Sequence, residues 1–181
     1  MSRAPVSSGD RAIGTVAIRW HGGSLELLDQ RLLPDQEHWI TLEGSAGVAQ
    51  SIRNMVVRGA PAIGITAAYA VVLAARLAWQ KAAKNWQQAM SAPLQILLDS
   101  RPTAVNLQWA IDQMSAVYQS LPAADNPEAV LLAAAQKIHQ QDIAANHALG
   151  KLGAGLMDSN STVLTHCNAG ALATGGFGTA L

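Results

Sequence analysis

The sequence carries no excess of either charge, only one cysteine, and no uncharged apolar run of membrane-spanning length. Lysine plus arginine and aspartate plus glutamate number twelve each, so no strong field is available to hold nucleic acid or an anionic membrane, whereas a phosphate-sized partner needs only a local site. A lone Cys167 excludes an internal disulfide, and a single thiol beside a histidine fits a reducing cytosol better than a secreted scaffold. The opening MSRAPVSSGD lacks the apolar core of a signal peptide. The run from Pro61 to Ala75 is uncharged but stops at Arg76, short of the roughly 20 apolar residues a spanning helix wants, and reads as a buried core helix. No internal repeat or low-complexity linker interrupts the chain.

What the sequence does have is apolar residues, half of all 181, enough to bury the core of one domain or of one domain and the start of another. From Ile13 to Leu42 the pattern is short and β-like: TVAIRW, a Gly22-Gly23 turn, SLELLD, a loop at Pro34 and Asp35, then HWITL. This predicts a small antiparallel sheet. From Gly44 the period turns helical, with Val48, Ile52 and Val56 four apart and Met55 beside them, and this helix is expected to end near Arg58-Gly59. Pro61 suits the first turn of a second helix reaching about Trp86. A third helix is expected over Ala92 to Leu98, a fourth from a Thr103 cap to about Leu121, and a fifth from Asn126-Pro127-Glu128 to about Met157.

Beyond an Asp-Ser-Asn-Ser turn, STVLTHC reads as a short buried strand followed by the small-residue run NAGALATGGFGTAL. A strand entering such a loop is the opening of a doubly wound sheet. The expected fold is therefore an α+β domain over residues 1–158, a small antiparallel sheet plus a helical bundle, followed over 159–181 by the first strand of a truncated, Rossmann-like α/β domain.

Three segments offer chemistry. In Arg58-Gly59-Ala60-Pro61, a helix start presents unpaired N–H groups and a positive dipole end, so Gly59 and Ala60 can bring backbone to a phosphate that Arg58 neutralises. The same residues also make a plain glycine cap and proline start joining two core helices, the commoner use of such a junction. Arg101, in a Ser-Arg-Pro-Thr turn before the fourth helix, would form the other jaw of a phosphate clamp if it faced Arg58, and is otherwise a solvated loop arginine. Cys167, at the carboxyl end of the expected strand, would face a ligand crevice, with Thr165, Asn168 and Thr174 lining the loop; its plain alternative is a small buried hydrophobe. His166 would point away from it, so adjacency does not make a dyad.

On the fifth helix, Leu131, Ala135, Ile138, Ala145, Leu149, Leu152 and Leu156 form an apolar seam that includes Asp142. A carboxylate there needs a donor, such as a backbone N–H, an arginine or Asn146, and a structural hydrogen-bond role is expected. His139 and His147 lie eight residues apart with no third ligand at useful spacing, so no metal site is expected. Trp20, Trp39 and Trp109 are candidates for an apolar pocket or for plain core and surface packing.

In order, RGAPAIGITAAYA, SRPTAVNLQWAI, QDIAANHALGKLGA and LTHCNAGALATGGFGTAL resemble the successive signatures of the methylthioribose-1-phosphate isomerases, over nearly the whole chain. The wider superfamily includes ribose bisphosphate isomerases and regulatory subunits of a translation-initiation exchange factor. The resemblance implies a cytoplasmic, homodimeric aldose-ketose isomerase of methionine salvage, converting 5-methylthioribose 1-phosphate to 5-methylthioribulose 1-phosphate without a metal or an organic cofactor. It implies that Arg58, Gly59, Ala60 and Arg101 bind substrate and that Cys167 is the catalytic-site thiol. It also places the general-acid aspartate beyond Leu181, so residues 1–181 alone are expected to be an inactive half. The rival expectations are a non-catalytic regulatory or scaffolding member of the superfamily, a related ribose bisphosphate isomerase, and an acyl-transfer enzyme with Cys167 as nucleophile.

Overall fold

The structure, a computed structural model, describes residues 16–180; the expected strand residues Ile13 to Thr15 lie outside them. Strands β1 (Ile18–His21), β2 (Ser24–Leu28) and β3 (Trp39–Leu42) form an antiparallel sheet in the order β1-β2-β3. Gly22 and Gly23 join the first two with φ of 57° and 82°, the left-handed pair that a two-residue hairpin of native twist requires. Ile18 then pairs with Leu27 and Leu27 with Ile40, which turns Leu25 and Leu27 inward onto the helices.

Five helices follow: α1 (Ser45–Arg53), α2 (Ala60–Ala82), α3 (Ser91–Leu98), α4 (Val105–Gln119) and α5 (Glu128–Ala154). Helix α2 is the axis of the molecule. It is apolar on every side, and every residue from Ala62 to Ala75 is buried, the pattern of a helix packed all round by its neighbours. With Arg76 and the later lysines included, Ala60–Asn85 has the length and hydropathy of a membrane span, but 83% of its apolar window is buried inside the protein. The charge that ends the apolar run is also satisfied. Arg76 donates to the Gly23 carbonyl at 2.6 Å and to Glu128 at 2.6 Å, tying hairpin, core helix and the start of α5 together.

Helix directions follow from such contacts. Arg76 of α2 meets Glu128 of α5 while Tyr69 meets His139, so α5 runs antiparallel to α2. The first turns of α2 and α4 line one cavity, and Gln87, just past the other end of α2, donates to the carbonyls of Tyr118 and Leu121 at the far end of α4. Helices α2 and α4 are therefore parallel, and their N-termini lie at the same end of the bundle.

Several expectations need correction. Helix α1 stops at Arg53, because Met55 takes a left-handed φ of 61°; Val56 still reaches the core, but Met55 is exposed. Thr103 does not cap α4, whose N-cap is Ala104 without a side-chain bond. Leu149, Leu152 and Leu156 of the α5 seam are exposed, since none of the described elements packs over that end. Residues 161–167 form no strand and are exposed; a strand needs a neighbour to take its N–H and C=O groups, and no strand among the described residues lies beside them. Cys167 is accordingly exposed, with φ of 65°, rather than buried at a strand end.

Candidate active site

The shared end of α2 and α4 is built from two unusual helix starts. Gly59, the N-cap of α2, has φ of 99°, and neither it nor Ala104 caps its helix with a side chain. First-turn N–H groups are thus left free of side-chain caps at both termini, and the two dipoles point the same way. Arg58 directly precedes Gly59 and is exposed; Arg101 lies four residues before Val105 and is half-buried. Between the helices, Pro61, Gly64, Ile65, Val105, Asn106 and Trp109, with Ile138, Gln141 and Asp142 of α5, enclose a cavity of about 470 Å³. Arg101 lines a separate hollow of about 230 Å³ with Gln95, Asp99 and Gln108, and neither Arg58 nor Cys167 is on its wall.

The chain after Cys167 returns to this same end. Ala180 N–H donates to the Ala169 carbonyl at 3.3 Å, closing a compact loop whose turn at Ala171–Ala173 lies on Gly59. The contact is so close that a Cβ on Gly59 would sit 2.5 Å from the Cα of Ala173. Gln30, buried past the end of β2, donates to the Leu172 carbonyl at 2.8 Å. Thr174 does not line an open crevice: it is buried, and its hydroxyl lies 2.8 Å from the Phe177 carbonyl and accepts from Gly176 N–H, stapling the turn. The structure therefore brings Gly59, flanked by Arg58 and Ala60, against the loop that follows Cys167.

Helix α5 holds the other side of the loop. Asp142 accepts from Gly175 N–H at 2.7 Å and from Asn146 at 3.2 Å, the backbone and Asn146 partners expected for a carboxylate in an apolar seam. His139 Nε2 lies 2.7 Å from the Gly175 carbonyl, which can only accept, so Nε2 carries hydrogen and Nδ1 accepts from the Tyr69 hydroxyl at 3.1 Å. Burial pushes the Tyr69 phenol up to about 12. His147 stacks on Phe177 with ring centroids 3.9 Å apart. The two histidines thus anchor the loop, and the described residues contain no cluster that would hold a metal ion. Of the three tryptophans, Trp109 lines the cavity, Trp20 stacks on Tyr69, and Trp39 lies under the Arg19 guanidinium.

Gln30, His139 and Gly175 carry no motif that marks them in the sequence as loop anchors. The available signals were the doubled glycine at 175 and 176 and the spacing of three between His139 and Asp142, which puts both on one helix face.

A sequence model of the Initiation factor 2 subunit family matches residues 56–179. The chain belongs to that family. Within the Initiation factor 2 subunit family it is 53% identical over 176 residues to a methylthioribose-1-phosphate isomerase of Marinobacter nauticus, covering 96% of this chain and 49% of that one. It is also 53% identical over 165 residues to the Nitrosococcus oceani enzyme of the same name, covering 91% and 47%. A crystal structure of 5-methylthioribose 1-phosphate isomerase from Pyrococcus horikoshii superposes with a TM-score of 0.81 at 34% identity, over 90% of this chain and 46% of that one. The translation initiation factor eIF-2B subunit delta from A. fulgidus superposes with a TM-score of 0.78 at 33% identity, over 88% and 46%. The chain spans about half the length of the relatives it matches.

Proposed function

We propose that this chain forms the helical part of an aldose-ketose isomerase that converts 5-methylthioribose 1-phosphate to 5-methylthioribulose 1-phosphate. The observation that carries this reading is the seating of the loop that follows Cys167 on Gly59, at the end of the bundle where α2 and α4 both begin. First-turn N–H groups without side-chain caps, aligned dipoles and guanidinium groups are what a phosphoester dianion requires. The names of the bacterial relatives add the substrate to that chemistry.

In this reading Arg58, Gly59, Ala60 and Arg101 hold the phosphoester and Cys167 faces the sugar. The reaction breaks the bond between C1 and the ring oxygen, which takes up a proton; hydrogen moves from C2 to C1, and the C2 hydroxyl becomes a carbonyl. The phosphate stays on C1, so a site that grips it keeps the reacting carbons in register through ring opening. In this reading the general-acid carboxylate belongs to the half of the relatives that this chain does not match. Residues 161–167 would form a strand once neighbouring strands of an α/β domain cover them, and the working protein is taken to be a cytoplasmic homodimer that uses no metal or organic cofactor.

A coupled assay for ketose phosphate tests the division of labour. Purified residues 1–181 should give no product while still binding 5-methylthioribose 1-phosphate in preference to ribose 1,5-bisphosphate; turnover by the fragment, or the reverse preference, contradicts the reading. The likeness to eIF-2B subunit delta favours one second reading, a regulatory member that keeps the helical fold without catalysis. That reading predicts no binding of either sugar phosphate.

A further inference from the structure

The two polar backbone atoms of Gly175 are both taken by α5: its carbonyl by His139 Nε2–H at 2.7 Å, and its N–H by Asp142 Oδ2 at 2.7 Å. Residues three apart on a helix share a face, so a single stretch of α5 reads one residue of the loop with a donor and an acceptor in fixed order. The fit also excludes a side chain, because a Cβ on Gly175 would lie 2.7 Å from His139 Cδ2 and 3.1 Å from Asp142 Oδ2.

Each clamp residue is itself oriented. Asn146 donates to the same oxygen of Asp142 at 3.2 Å. Tyr69 donates to His139 Nδ1 at 3.1 Å, and its ring stacks on Trp20 of β1 at 5.5 Å. A continuous path therefore runs from the sheet, through the core helix, to the glycine loop.

We propose that His139 and Asp142 are positioning residues, which fix Gly175 and with it the course of the loop leading from Cys167 past the start of α2. This deepens the isomerase reading, on which the importance of that course rests. The clamp itself is independent of any substrate. Its partners on every side are accounted for: Tyr69 from α2, Asn146 from α5 and the Gly175 backbone from the loop.

The test is amide hydrogen exchange over residues 170–178 in four proteins without ligand: wild type, Asp142→Asn, His139→Ala and His139→Gln. Asparagine keeps a neutral acceptor but loses the charge assistance, and alanine removes the imidazole bond altogether, so both should speed exchange there, His139→Ala roughly tenfold or more and Asp142→Asn severalfold, with the amides of α2 and α4 unchanged. Glutamine can place an amide N–H where Nε2 stood, so His139→Gln should return exchange to within about threefold of wild type, a rescue that mere filling of space would not give. Unchanged exchange in Asp142→Asn and His139→Ala overturns the proposal, as does a His139→Gln protein as fast as His139→Ala. Should Asp142→Asn fail to fold, the histidine pair decides alone. Failure of the wild-type chain to bind 5-methylthioribose 1-phosphate would count against the isomerase reading and leave these outcomes unaffected.

Discussion

Gly59 and Ala173 touch so closely that a Cβ on the first would lie 2.5 Å from the Cα of the second, although 114 positions separate them in the chain. Since Gly59 also has φ of 99°, Gly59→Ala combines a strained backbone with a clash against main chain, which cannot move aside cheaply. It should destabilise the protein by about 2 kcal/mol or more and release the loop, read as a lower Tm and as faster proteolysis between Cys167 and Phe177. An alanine variant as stable and as protease-resistant as wild type would show that the contact is not made.

Tyr69 gives a prediction at alkaline pH. Its folded-state value near 12 lies above the unfolded value of about 10, so the neutral phenol contributes stability that is complete below pH 10 and is lost as pH rises toward 12. Absorbance near 295 nm should show one tyrosine ionising only together with alkaline unfolding. Tyr69→Phe should abolish that step and, by leaving His139 Nδ1 without a donor, cost about 1–2 kcal/mol at neutral pH. Titration of Tyr69 near pH 10 in the folded protein would refute it.

Asp29 acts in the opposite range. It is buried past the end of β2, and side-chain hydrogen bonds from Arg31 at 2.8 and 2.6 Å hold its carboxyl below the usual value. A depressed folded-state value contributes stability present above the unfolded value of about 3.9 and lost as pH falls through the folded one. Asp29→Asn should therefore lower Tm at pH 7, and the gap from wild type should close below about pH 4; a gap that persists undiminished at pH 3 contradicts the ion pair.

Much of this was legible in the residues, and the failures have physical causes. Glycine pairs, prolines and the change from alternating to four-residue spacing located the sheet and all five helices, because each acts through local backbone geometry. The apolar seam of α5 promised burial to Leu156, yet periodicity states which face wants cover, not whether cover is there. STVLTHC failed as a strand for the same reason, since a strand is completed by its neighbours. At the candidate site, the glycine cap and proline that open α2 were readable from helix-start chemistry. His139 and Gln30 were not, because they bind main-chain carbonyls and such bonds leave no sequence pattern.

The uncovered stretch has its own consequence. Leu152 is 73% exposed and Leu164 95% exposed, around an apolar hollow of about 610 Å³ that also involves Leu149, Met157 and Val163. The isolated chain should bind a hydrophobic dye such as ANS there. Leu152→Asp with Leu164→Asp should remove most of that fluorescence while leaving Tm within about 2 °C, as expected for surface changes; full dye binding by the double variant would place the sticky surface elsewhere.

The most direct measurement is the thermal shift of residues 1–181 on adding 5-methylthioribose 1-phosphate, made for wild type, Arg58→Ala and Arg101→Ala. A ligand at 100 times its Kd raises stability by about 2.7 kcal/mol, several degrees for a chain of this size. The predicted result is such a rise in wild type and its loss in both variants. No rise in wild type, or an equal rise in all three, would contradict a phosphate held at the paired helix starts.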